Sequence, residues 1–284
     1  MVQPNVSDGI AYWTSQPATV DGVLGGFGSG SLPRVESLGS RLFLLSLFPE
    51  LCTVPSAVKP LNVSSSRLPI RALDVGAGIG RVTRDTLLHL IPHVVLLEPV
   101  ESFILQALSS ARLSVSDHSI SKHAQWPGLA DKSKSVTFIQ CTLQGCDPSH
   151  LLSESAKYLN RVGSMTSEDP MNDIDSGFDV IWCQWCLGHL KDDDLIAFFK
   201  RSKIALRQDN GYPGRSLIVV KENLCSDSSG GGPRTTFDEE DSSFTRSDAA
   251  WKTAFSAAGL EVVREQVQKG LPEGLYPVKM YGLR

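Results

Sequence analysis

From residue 70 onward, short apolar runs alternate with segments whose apolar residues recur at helical spacing. That rhythm predicts a parallel sheet covered by helices. The runs place strands at 70-75, 93-98, 136-141, 178-183, 216-221, 260-267 and 276-283. Leu195, Phe198, Phe199 and Leu206 share one face of a helix over 192-207, capped by Asp192 and stopped by Asp209-Asn210-Gly211. Ala250, Trp251, Ala254, Phe255 and Ala258 do the same over 247-258, with Ser247 as N-cap and Gly259 as the stop. Three stretches break the rhythm: 50-69, rich in Ser and Pro, then 110-134, and 148-176 with its mix of Ser, Asn and acids. They read as insertions in surface loops. Residues 226-236, rich in Gly and Ser, read as a hinge or disordered link before an acidic cluster.

Composition narrows the classes. A chain of 284 residues, 41% hydrophobic and 20% charged, buries a full core without disulfides or metals. Its 27 basic residues against 31 acidic ones leave no excess for a phosphate backbone, which sets direct nucleic-acid binding aside. The richest apolar stretch, Leu42 to Phe48, falls far short of the roughly 18 to 20 residues of a membrane span. The opening residues lack the charged and apolar regions of a secretory signal. A soluble intracellular protein is predicted, cytoplasmic, nuclear or both, with reduced cysteines. The set Cys183-x-x-Cys186-x-x-His189, with Cys141 and Cys146, has neither the paired knuckles of a zinc site nor the helical context of a redox pair, so no metal is expected.

The segment Arg71-Ala-Leu-Asp-Val-Gly76-Ala-Gly78-Ile-Gly80-Arg81 carries a strand into glycines and then a helix. Such a turn lets backbone approach a ligand closely. In a dinucleotide fingerprint the third glycine would fall at position 81, where Arg81 stands. The spacing instead resembles the first motif of S-adenosylmethionine-dependent methyltransferases, whose ligand carries no phosphate but has a carboxylate that Arg81 can meet. Glu98 closes the next strand, placed to accept from both ribose hydroxyls. The bland reading of the glycines is a tight turn between strand and helix. Leu143-Gln144 follows the third strand on the adenine side, and Gln184-Trp185 follows the fourth at the ligand edge.

Several further pieces resemble the eukaryotic α-N-terminal protein methyltransferases. They are Tyr12-Trp13, Thr19-Val-Asp-Gly-Val-Leu-Gly-Gly-Phe27, the stretch from Val180 to Leu190, Val220-Lys-Glu-Asn223, Phe237 to Ser243, and Leu271-Pro-Glu-Gly-Leu-Tyr276. The resemblance implies a single Rossmann-like domain over 1-284 with a seven-stranded, mostly parallel sheet ending in an antiparallel strand. Residues 1-48 would form a helical cover over a catalytic core at 70-284. It implies S-adenosylmethionine-dependent methylation of the exposed α-amine of proteins that begin X-Pro-Lys or X-Pro-Arg once Met is removed, with N-terminal peptides as the partners. Gly76, Gly78, Arg81, Leu143, Gln144 and Gln184 match the family's cofactor positions, and Glu98 stands where the family more often has Asp. Trp13, Leu24, Gly25, Trp185 and Tyr276 match positions that enclose the substrate's first residues, and Asn223, Asp238 and Asp241 match the polar wall of that channel. His189 lies beside them; His189 and Asp241 are the candidates for the proton, with Asp238 and Asn223 in support.

The chemistry asks for such residues. A free α-amine has a pKa of about 7.7 to 8.0, and only its neutral form attacks a methyl carbon. An ordinary Asp, near roughly 3.9, is a weak base towards it, so relay through water or His189 suits the residues better than outright abstraction. An acidic run at 238-241 would attract a cationic third residue. Taken alone, that run reads as a solvated turn before a helix, and the aromatics read as core. The alternatives are a methyltransferase for a small molecule or a protein side chain, or a scaffold that keeps the fold without catalysis. The oligomeric state has no signature in the sequence.

Overall fold

The computed structural model describes residues 2–54, 69–117, 119–164, 173–208 and 214–284. The chain opens with helices α1 (Val6–Ser15) and α2 (Leu32–Leu47). Strand β1 (Arg71–Val75) leads into α3 (Arg81–Asp85), then β2 (His93–Leu97), α4 (Glu101–Ser116), β3 (Ser135–Gln140) and β4 (Lys157–Gly163). The second half runs β5 (Val180–Gln184), α5 (Asp192–Ile204), β6 (Leu217–Cys225), a hairpin of β7 (Thr235–Asp238) and β8 (Ser243–Ser247), α6 (Asp248–Ala257), β9 (Val262–Val267) and β10 (Val278–Leu283).

The main sheet has the order β4-β3-β2-β1-β5-β6-β10-β9. Strands β3, β2, β1, β5 and β6 are mutually parallel, and β10 is antiparallel to both β6 and β9. All seven expected strands are present within a residue or two of the predicted bounds, except that β6 runs on to Cys225. The parallel strands β1, β2, β3, β5 and β6 are mostly buried because both faces of the sheet are covered there, whereas β9 at the edge is largely exposed. One face packs Phe43, Leu44, Ile104 and Ala107 from α2 and α4, and the other packs Leu195, Phe198, Trp251 and Phe255 from α5 and α6. Among the described residues, no helix is long and apolar enough to cross a membrane.

Four local expectations need correction. The first is the stretch 110-134, which is a surface loop only in part, exposed at 121-124 and 130-133. Helix α4 continues to Ser116, and Ser110 and Ser114 accept from the indole and backbone N–H of Trp126 at 3.0 and 2.8 Å. Trp126 is buried, and its ring lies 2.3 Å from where a β-carbon on Gly80 would stand. This stretch therefore props the glycine turn. Trp126→Ala should lower the unfolding free energy by about 3–5 kcal/mol in a urea titration, because a large cavity opens behind the turn.

The second is the stretch 148-176, which contains β4, paired antiparallel to β3. Its signal is faint because buried Arg161 interrupts the apolar alternation while donating to Thr137 Oγ1 at 2.8 Å. Third, the stretch 226-236 holds a closed turn at 228-232, with Gly231 N donating to Ser228 O at 2.8 Å, and runs into β7, so the acidic run lies at the tip of the β7–β8 hairpin rather than before a helix. Fourth, Asp192 sits inside the first turn of α5, where its carboxylate accepts from Arg246 at 2.8 Å instead of capping the helix. Ser247 does cap α6, and Gly259 follows it at φ +71°. Most of 50-69, part of 148-176 and the expected stop at Asp209-Asn210-Gly211 lie outside the described residues.

Candidate active site

Strands β1 and β5 are neighbours, and the chain leaves them in opposite directions along the sheet. At such a point the loops after the strands diverge and a crevice opens at their carboxyl ends. Two adjoining pockets occupy that edge and share Trp13, Val23, Trp185 and His189.

The first pocket is an open cleft with about 940 Å³ of empty space, mouth included. All seven expected cofactor positions line it: Gly76, Gly78, Arg81, Glu98, Leu143, Gln144 and Gln184. Gly76 and Gly78 stand at φ +61° and +56°, which a side chain would strain. Glu98 ties this loop to the end of β2: one carboxylate oxygen accepts from Gly78 N at 2.7 Å and the other from Val100 N at 2.8 Å. Each oxygen keeps a second lone pair. Burial pushes the Glu98 carboxyl up to about 7, although both amides favour its ionised form. Gln144 donates to His189 O at 3.2 Å, which joins the two sides of the cleft.

Two polar side chains of this pocket have donors free of acceptors among the described residues. The Gln184 side chain accepts from Trp182 Nε1 at 3.1 Å, and its Nε2 has no partner among the described residues. Arg81 donates one nitrogen to Glu36 and has no second acceptor among them. Together these groups suit the carboxylate of an amino-acid ligand, while Glu98 suits a pair of hydroxyls.

The second pocket is lined by Trp13, Leu24, Gly25, Trp185, His189, Asn223, Asp241 and Tyr276. Asp238 is not among them. Its carboxylate accepts from Glu240 N at 2.9 Å across the hairpin tip, and the residue is exposed. Asn223 is carried in by β6, opposite Val278 of β10. Asp241 Oδ1 is buried and unpartnered among the described residues.

Helix α1 closes the junction of the pockets. Asn5 N donates to Ser242 Oγ at 2.9 Å, and a β-carbon on Gly9 would lie 3.0 Å from His189 Nδ1. Trp13 Nε1 donates to His189 Nε2 at 3.0 Å. An imidazole that accepts at Nε2 is neutral and carries its proton on Nδ1. Burial lowers the His189 pKa in the same direction, against the pull of Asp241.

Glu222, which no local spacing marks out in the sequence, also lines the second pocket. It is buried, and one oxygen accepts from Cys186 N and Leu187 N at 3.0 Å each. Those bonds shape the turn after Trp185, a bulky residue held at φ +53° whose N–H donates to Lys221 O at 3.1 Å. Such a conformation is strained for a tryptophan and persists because the surrounding bonds fix it. Burial pushes the Glu222 carboxyl up to about 7.

A mostly parallel sheet with an antiparallel member near its edge, a glycine turn after β1, an acid after β2 and a two-chamber cleft define a Rossmann-like methyltransferase. A solved Leishmania major structure described as a SAM-dependent methyltransferase is similar, with a TM-score of 0.63 and 28% identity over 98% of this chain and 82% of that one. Residues 3–284 match the model of the family described as AdoMet dependent proline di-methyltransferase, and the chain belongs to that family. S-adenosylmethionine is thus its cofactor. Among named relatives, alpha N-terminal protein methyltransferase 1 of Schizosaccharomyces pombe is 36% identical over 277 residues, covering 98% of this chain and 94% of the relative. Human N-terminal Xaa-Pro-Lys N-methyltransferase 1 is 30% identical over 274 residues, covering 96% and 92%.

Proposed function

We propose that this protein methylates the exposed α-amino group of proteins that begin X-Pro-Lys or X-Pro-Arg once the initiator Met is gone. The observation that carries this reading is the meeting of two pockets at Trp13, Trp185 and His189, one lined by all the cofactor positions and the other walled by Asn223 and Asp241. The names of the relatives support the same substrate class.

The cofactor supplies an electrophilic methyl group on a sulfonium. Arg81 and Gln184 hold its amino-acid end, Glu98 accepts from the ribose hydroxyls, and Leu143 and Phe103 give apolar walls. Trp13 and Trp185 at the junction present faces on which a proline ring and a cationic amine pack. Asn223 orients the first peptide groups. Asp241 attracts the ammonium and takes up its proton by way of water, since near neutral pH roughly a tenth or more of such amines are already unprotonated. His189 holds Trp13 instead of abstracting the proton, because its acceptor nitrogen is occupied. Asp238 acts through its field at the hairpin tip and without contact.

Glu98 makes cofactor affinity depend on pH. Its carboxyl titrates near 7, and the ionised form is the better acceptor for two hydroxyls. Affinity for S-adenosylhomocysteine should therefore rise as pH increases from 6 to 8, by about three- to tenfold, and flatten in Glu98→Gln. Calorimetric titrations across that range check the sign.

Mass spectrometry of three peptides tests the activity. A Ser-Pro-Lys peptide should gain methyl groups, its α-acetylated form should gain none, and a Lys→Glu form should react about tenfold more slowly or worse. Equal modification of the acetylated peptide would overturn the proposal.

A further inference from the structure

Helix α2, part of the N-terminal cover, brings a fully buried acid into the core of the sheet's ligand edge. One oxygen of Glu36 accepts from Lys221 Nζ on β6 at 2.8 Å and from Ser40 Oγ at 2.8 Å. The other oxygen accepts from Arg81, the residue that opens α3 and lines the first pocket. Lys221 is also fully buried, and its ammonium is saturated inside the protein by Glu36, Ser40 Oγ at 2.8 Å and Gln268 Oε1 at 3.1 Å. Arg81 differs: it gives one nitrogen to Glu36, lies 5.7 Å from the Trp185 ring centre, and has no other acceptor among the described residues.

Two cations share the Glu36 carboxylate, and Arg81 is their member at the pocket. The next buried acid whose field reaches Arg81 is Asp74, which accepts from Thr83 Oγ1 at 2.6 Å and is pushed up to about 7 by burial. A buried ion cluster is costly unless every charge is met. A carboxylate on the remaining N–H groups of Arg81 would meet it. Burial alone would raise the pKa of Glu36, but Arg81 and Lys221 outweigh it and hold the carboxyl well below the usual range, so Glu36 stays ionised. Lys221 engages part of the Glu36 charge, which leaves Arg81 anchored yet still attractive to an anion.

We infer that Glu36 is a positioning residue that fixes Arg81 for the carboxylate of the cofactor's amino-acid end, so that the N-terminal cover also builds the cofactor pocket. A charge-assisted bond to one nitrogen restricts a long side chain before the ligand arrives and so reduces the ordering cost of binding. The inference rests on the reading of Arg81 as the group that meets that carboxylate.

The test compares two ligands on the full chain by calorimetry, with melting temperature as the check on folding. S-adenosylhomocysteine has the carboxylate; methylthioadenosine has the same nucleoside thioether without it. Glu36→Gln should weaken the first by about tenfold or more and leave the second within about twofold. Arg81→Gln should collapse the same ratio. If Arg81→Gln collapses the ratio and Glu36→Gln does not, Glu36 is merely structural and the inference fails. If Arg81→Gln leaves the ratio unchanged, the reading of Arg81 fails and takes the inference with it. Should Glu36→Gln not fold, the double variant with Lys221→Met removes the cation left unpaired and carries the same expectation and the same refutation.

Discussion

Asp241→Asn is expected to lower kcat by about 10²- to 10³-fold on a Ser-Pro-Lys peptide, with a much smaller change in cofactor affinity. The substitution keeps the shape of the side chain, and Asp241 Oδ1 has no protein partner among the described residues whose loss would disturb the fold. What disappears is a negative charge beside the ammonium and a place for its proton. The remaining activity should come from amines that are already neutral, so it should climb steeply as pH passes the amine's pKa of about 7.7 to 8.0. Steady-state kinetics between pH 6.5 and about 9 check both features. A kcat within about threefold of the parent, with an unchanged pH profile, would remove Asp241 from the proton path.

Gly76→Ala should weaken S-adenosylhomocysteine binding by about 100-fold or more, a loss of about 2.7 kcal/mol. Two costs combine. The residue stands at φ +61°, where any side chain strains the backbone by about 1–2 kcal/mol. A β-carbon there would also lie 2.4 Å from the Cys186 β-carbon. Cys186 cannot yield freely, because its N–H is held by Glu222 and its thiol donates to Val75 O at 3.2 Å. Displacing it would move Trp185, which lines both pockets, and Gln184, which lines the first. Calorimetry measures the loss. Near-parental affinity would mean that the turn relaxes elsewhere and that its glycines are a folding requirement only.

The parallel strands were legible because a sheet covered on both faces writes itself as unbroken apolar runs, as at 94-97 and 180-183. The edge strand β4 and the hairpin strand β7 carry no such mark. β4 has one neighbour and an arginine in its middle, and β7 is largely exposed, so both read as loop. Trp126 was hidden for a different reason: two serines on α4 receive it, and serines in a helix look like a solvated face.

The site was legible where local spacing sets it. Glycines after a strand, with an acid after the next, need no tertiary information. The matches to family motifs supplied the second pocket, although a motif cannot say that Asp238 turns back onto its own hairpin. Glu36 and Glu222 were out of reach because their roles depend on partners far along the chain, Lys221 for the one and Cys186 for the other. A single acid on an amphipathic helix reads as surface until the cation that buries it is known.

The nitrogen that receives the methyl group is the centre of this account. Fragmentation mass spectrometry of a Ser-Pro-Lys peptide after reaction with S-adenosylmethionine locates it directly. The added methyl mass should appear wholly in the fragment that contains the peptide's amino-terminal serine and be absent from the lysine side chain. Methyl groups found on the lysine, with the amino terminus unmodified, would contradict the α-amine assignment.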